Sequence, residues 1–165
     1  MPLTLEDFKR LIRPIQNKIF LTLGRALLAL VNNAEGTQKL QITALEDETI
    51  TDVERFQEYG FETYPLVGAE IFSGFLNGNR DLGIILCVHD RRYRPKDLAE
   101  GDVRHYDYRG NKITCQSSGI EVECLNGNKV HLTNIGIKME CLNGNIVEMI
   151  AGEVKVNGTN LEVLL

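Results

Sequence analysis

The chain has 165 residues, 18 basic and 23 acidic side chains, and a formal net charge of −5 at pH 7. Apolar residues at 43% and charged residues at 25% exclude wholesale disorder, and the acidic balance argues against a general binder of the phosphate backbone, which needs a basic stripe. No apolar run approaches the roughly 18 residues of a bilayer span; the longest candidate, residues 19–31, is broken by Thr22, Gly24 and Arg25.

The first acidic residues, Glu6 and Asp7, precede the first basic ones, a pattern unlike a signal peptide. The expectation is synthesis in a reducing cytoplasm, with Cys87, Cys115, Cys124 and Cys141 as free, buried thiols. Their spacing matches no zinc pattern. Fifteen glycines against four prolines form a mild excess whose placement becomes informative below.

Residues 1–23 read as a helix. Leu5, Phe8, Ile12, Ile15 and Ile19 recur at three- and four-residue steps on one face. Thr4 is a candidate N-cap, with Asp7 completing a capping box. Pro14 is expected to kink or restart the helix, because it lacks an N–H and clashes one turn back. The polar face is only mildly cationic, which suits a packing helix better than one lying on a membrane.

Residues 24–108 change to short β-like runs, at 25–32, 39–44, 49–59, 70–76, 83–89 and 102–108, separated by turn residues. Five or six short strands in this length fit a small closed barrel, most simply an OB-fold. Asn77-Gly78 favours a tight hairpin between the runs on either side. Within these runs Cys87 reads as a core thiol and His89 as a structural residue at a strand end.

Residues 109–165 hold a repeat. Gly110-Asn111-Lys112-Ile113 returns as Gly127-Asn128-Lys129-Val130 and as Gly144-Asn145-Ile146-Val147, at a constant step of 17. A second glycine marks the other half of each unit, at Gly119, Gly136 and, one residue out of register, Gly152. Between glycines the sequence alternates, so that Ile113, Ile120, Val122, Cys124, Val130, Leu132, Ile137, Met139, Cys141, Val147 and Met149 fall on one face and charged residues on the other. A ribbon of three such units cannot enclose its own apolar stripe, and 17 is not a multiple of the six-residue step of single-chain solenoids. The stripe is therefore expected to meet copies of itself in a homotrimer, its chains wound around a common axis, with Cys124 and Cys141 as small apolar fillers and Asn126 and Asn143 as turn residues.

The order of blocks between these regions resembles the phage Mu-type central spike proteins, the Mu-like baseplate assembly protein V family. The likeness is carried by Val53-Glu54-Arg55-Phe56-Gln57-Glu58-Tyr59-Gly60-Phe61, Tyr64-Pro65-Leu66-Val67-Gly68-Ala69-Glu70, Gly78-Asn79-Arg80-Asp81 and Asp90-Arg91-Arg92-Tyr93-Arg94-Pro95. It implies a mainly β homotrimer in a virion tail baseplate, with an N-terminal helix, an OB-fold collar and a C-terminal triple-stranded intertwined β-helix that pierces the host outer membrane on sheath contraction. Implied partners are other baseplate and tail hub proteins. Spikes of this kind often close their tip with a His-x-His pair that holds iron. Here His131 stands alone, on the wet face, so no cofactor is expected and an axial or tip metal ion has no motif to support it. The end at Val163, Leu164 and Leu165 is expected either to contact a separate tip-capping protein or to be truncated.

Two other classes stay open from the residues: an OB-fold module for nucleic acid or carbohydrate with a β-solenoid extension, and a cell-envelope hydrolase. Neither gains a motif. Arg91, Arg92, Arg94 and Lys96 around Tyr93 form the basic cluster, read as charged contacts to neighbouring subunits or the shaft base rather than as a nucleic-acid site. His89 and His105 lack an accompanying nucleophile motif, and no pair of carboxylates stands out for glycoside chemistry. No enzyme is expected.

Overall fold

The computed structural model describes residues 4–44, 48–157 and 159–160. The chain divides into two compact units between Arg92 and Tyr93.

The first unit opens with helix α1, Leu5–Phe20. The capping box forms as expected: the Asp7 N–H donates to Thr4 Oγ1 at 3.2 Å, and the Thr4 N–H donates to Asp7 Oδ2 at 3.0 Å. Helix α1 runs through Pro14 without interruption, so no restart occurs there. Its C-terminal turn lies against the turn at Gly78, where an added Cβ would stand 2.5 Å from the Lys18 carbonyl oxygen. No residue of α1 is buried. The expected packing face is thus left uncovered by the described residues of the unit.

Five strands follow: β1 Leu23–Asn32, β2 Gln38–Thr43, β3 Thr49–Arg55, β4 Glu70–Phe75 and β5 Gly83–His89. They close in the order β1-β2-β3-β5-β4, with β3 and β5 parallel and the other described pairings antiparallel. This order is consistent with an OB-type barrel. Irregular register near Leu28, Leu40 and Phe72 supplies the local bends that help a small sheet close. The core is Leu28, Leu40, Ile42, Ile50, Val53, Ala69, Ile71, Phe75 and Ile85.

Three expectations change here. Strands β4 and β5 do pair, but through two short 3-10 turns over residues 76–82 instead of a two-residue hairpin. Cys87 is exposed on the outer side of β5, not in the core, because the register irregularity opposite Phe72 and Ser73 breaks the alternation after the buried Ile85 and sets Cys87 opposite the exposed Phe72. The sixth candidate strand shortens to Val103–Tyr106 and pairs with the next unit's sheet rather than with the barrel.

That second unit is a sheet of eight strands in sequence order: β6 Val103–Tyr106, β7 Lys112–Gln116, β8 Gly119–Glu123, β9 Lys129–Leu132, β10 Gly136–Glu140, β11 Ile146–Ile150, β12 Glu153–Val156 and β13 Thr159–Asn160. Each strand pairs antiparallel with its sequence neighbour within the one chain. One 17-residue repeat is therefore two strands and two reversals. The reversals at Gly119 and Gly136 need glycine because the backbone passes so near: a Cβ would sit 2.0 Å from the Leu132 and Met149 carbonyl oxygens respectively.

The corner asparagines link successive repeats. Asn111 Oδ1 accepts the Leu125 N–H at 2.8 Å, and Asn128 Oδ1 accepts the Leu142 N–H at 2.9 Å, one repeat later. Asn126 and Asn143 each accept the N–H two residues on, the ordinary asparagine turn.

Candidate functional site

The register of the second unit sorts its side chains into rows. Directly paired residues share a face, since side chains alternate along each strand. One row runs His105, Ile113, Val122, Val130, Met139, Val147, Val156. Two residues along, a parallel row runs Val103, Cys115, Ile120, Leu132, Ile137, Met149, Val154. Apart from His105, both rows are wholly apolar. They form a continuous face.

The opposite face is charged. Its rows include Lys112, Glu123, Lys129 and Glu140, and Glu121, His131, Lys138, Glu148 and Lys155. Charges of opposite sign meet across strands: Lys112 Nζ lies 2.9 Å from Glu123 Oε2, and Lys129 Nζ lies 3.3 Å from the same carboxylate. His131 is not isolated on this face, because its two ring nitrogens lie 3.3 Å from Glu121 and 3.2 Å from Glu140. The hydrogen bond from Lys112 holds the Glu123 carboxyl below its ordinary value, and the one from Lys138 does the same for Glu140.

Burial is the reverse of what water imposes on an isolated sheet. Glu121, Glu123, Lys129, Lys138 and Glu140 are half-buried, because their stems lie along the sheet and their heads pair. Ile113, Ile120, Leu132, Ile137, Met139 and Met149 are exposed, at 37–46%. A contiguous apolar face of this extent marks an interaction surface.

The family match falls in the first unit. Residues 25–92 match the family described as Bacteriophage Mu Gp45, N-terminal. The Baseplate puncturing device gp45 of Escherichia phage Mu is 39% identical over 110 residues, 67% of this chain and 56% of that protein. The Mu-like prophage FluMu protein gp45 of Haemophilus influenzae is 31% identical over 115 residues, 70% of this chain and 63% of that protein. Through its barrel unit the chain belongs to the phage Mu gp45 family. It spans less than two thirds of the length of either relative.

In this gp45-family chain, nine of the eleven residues expected on the stripe lie in the two apolar rows. The other two, Cys124 and Cys141, lie just beyond β8 and β10 at the turns, where each N–H donates to the carbonyl of Asn128 or Asn145 at 2.9 Å. All four cysteines are free and exposed, not buried as expected. Val163, Leu164 and Leu165 lie outside the described residues.

Sequence reasoning missed Val154 and Val156, which extend both rows onto β12. The signal was present: Gly152 is one residue out of register, but the strand after it keeps the step of 17. It also missed Val103 and His105, which lie upstream of the first repeat.

Two arginines of the basic cluster are engaged locally. Arg91 Nη2 donates to Glu70 at 2.9 Å, and Arg92 donates to Asp90 and to the Val67 carbonyl. Both residues thus form ion pairs inside the barrel unit. Asp97 pairs with Arg104 at 2.8 Å. Among the described residues, no group of three or more His, Cys, Asp or Glu side chains is placed to hold a metal ion.

Proposed function

We propose that this chain is the central spike of a contractile-tail baseplate, a homotrimer whose second unit forms the shaft and whose role is mechanical. The observation that carries the reading is the uncovered apolar face, found in a chain whose barrel unit belongs to a family with a relative named for baseplate puncturing. Three copies that turn these faces toward a common axis bury both rows and leave the charged faces in water. The ladder hydrogen bonds are already satisfied within each chain, so assembly adds side-chain burial to an existing backbone network. A shaft of this kind resists load because the repeats open only by breaking ladder bonds together, and forced unfolding is set by the unfolding rate.

The proposal extends to a location at the tail baseplate, to contacts with other baseplate and hub proteins, to a separate tip-capping partner and to passage through the host outer membrane. The test is immunogold labelling of contractile tails that carry this chain. Label confined to the baseplate tip is expected. Label that stays with free protein and never with tails would overturn the reading.

A further inference from the structure

The long connection between β3 and β4, residues 56–69, has no regular secondary structure, and loops of this length are usually functional. It carries Phe56, Tyr59, Phe61 and Tyr64, all exposed, and Tyr59 is as open as a side chain can be, at 102%. Four aromatics in nine residues are a large share of a chain with six phenylalanines and five tyrosines.

The loop is nevertheless fixed. Thr63 is its anchor: Arg55 donates to the Thr63 carbonyl at 2.9 Å and to its hydroxyl at 2.7 Å, and the buried Gln38 donates to the same carbonyl at 3.2 Å. Tyr64 Oη donates to the Val31 carbonyl at 3.3 Å. At the tip, the Phe61 N–H donates to the Glu58 carbonyl at 2.9 Å across a tight turn with Gly60 at φ +86°. The tip thus presents Glu58-Tyr59-Gly60-Phe61-Glu62 in a set conformation, and preorganised aromatic anchors are what binding hot spots consist of.

A complementary surface lies elsewhere on the same unit. A groove of about 750 Å³ follows the outer side of β1, β4 and β5. The register sets Arg25, Phe72 and Cys87 in one row and Leu27, Glu70 and His89 in the next. Leu27, Phe72 and Cys87 give it an exposed apolar floor. Arg91 is held by Glu70, and Arg25 has no partner among the described residues, so the rim has a net positive character.

We infer that the Glu58–Glu62 tip of one copy docks in the Arg25–Phe72 groove of a second copy, with Tyr59 over Leu27 and Phe72 and the two glutamates toward Arg25. The tip is acidic and aromatic and the groove is apolar with a cationic rim, so the two are complementary in charge and polarity. Loop and groove share no residue, so the contact is heterologous, and heterologous contacts close into a ring when the rotation permits. This inference rests on the trimeric reading and deepens it by assigning the barrel units a contact of their own.

The test places photoreactive benzoylphenylalanine at position 59 of the full chain, followed by irradiation, mass measurement and peptide mapping. A trimeric mass with crosslinks from position 59 to residues 23–32, 70–75 or 83–89 of another copy is expected. Arg25→Glu and Glu62→Arg should each lower the crosslink yield about tenfold, and the double variant should restore it. A trimeric mass with no crosslink in the groove, with crosslinks only to a different protein, or with no rescue by the charge swap, overturns the docking and leaves the trimer standing. A monomeric mass overturns both.

Discussion

Val122→Asp tests the assignment of the apolar face most directly. Val122 sits inside its row, between Ile113 and Val130, and is half-buried in the single chain. Ile113, Ile120, Leu132, Ile137, Met139, Met149 and Val156 keep 36–46% of their surface open. At roughly 70 Å² apiece, their burial removes about 500 Å² per chain and ~1,500 Å² over three copies, the size of a standard specific interface. At about 25 cal/mol per Å² this is on the order of 12 kcal/mol of gross stabilisation per chain, before the cost of association.

A carboxylate in that face must be desolvated without a partner, at about 3 kcal/mol or more per copy. Threefold symmetry triples this, so the trimerisation constant should fall by roughly six orders of magnitude. The assay is sedimentation or light scattering across a dilution series. Wild type should have three times the 18.6 kDa chain mass, and Val122→Asp should have the chain mass itself. Val122→Thr, close in shape but carrying a hydroxyl instead of a charge, should weaken the association far less than the carboxylate does. An Asp variant that stays trimeric at the wild-type concentration would refute the assignment of this face to the axis.

Gly119→Ala forces a Cβ to within 2.0 Å of the Leu132 carbonyl oxygen, while at Gly144 the space is open and only the positive φ is unfavourable. The first should cost on the order of 3 kcal/mol and the second roughly 1 kcal/mol in thermal denaturation, and equal effects would contradict the close approach. Glu123 and Glu140 have folded-state carboxyl values held below their ordinary 4.5 by Lys112 and Lys138, so their contribution is complete above that value and is lost as pH falls through the depressed values. The melting temperature should therefore drop between pH 5 and pH 3, a drop reduced in the Lys112→Met, Lys138→Met variant and in high salt. Leu40→Ala empties a fully buried barrel position and should cost about 2–5 kcal/mol by denaturant unfolding, with the loss reported by probes in the first unit.

The sequence by itself determined what depends on near neighbours. The capping box at Thr4 and Asp7 is settled by four residues, and it formed. The division of the repeat into one apolar and one charged face follows from alternation, which any extended strand imposes; nine of eleven stripe residues fall in the two apolar rows for that reason. The glycine excess was legible too, since the reversals recur at the repeat's own period.

Tertiary structure decided what depends on distant partners. Whether residues 103–106 complete the barrel or start the sheet is a choice between partners that alternation cannot rank, and β7 won it. Cys87 lies in an apolar run that reads as core, but the register irregularity between β4 and β5 breaks the alternation after the inward Ile85 and leaves Cys87 in the outer row beside Phe72. The loop at 56–69 holds its shape through Gln38, Arg55 and Thr63, residues up to 25 positions apart whose hydrogen bonds exist only once the strands have paired. Local periodicity fixes which side chains share a face, whereas register and closure, which sum many long-range pairings, fix what that face meets.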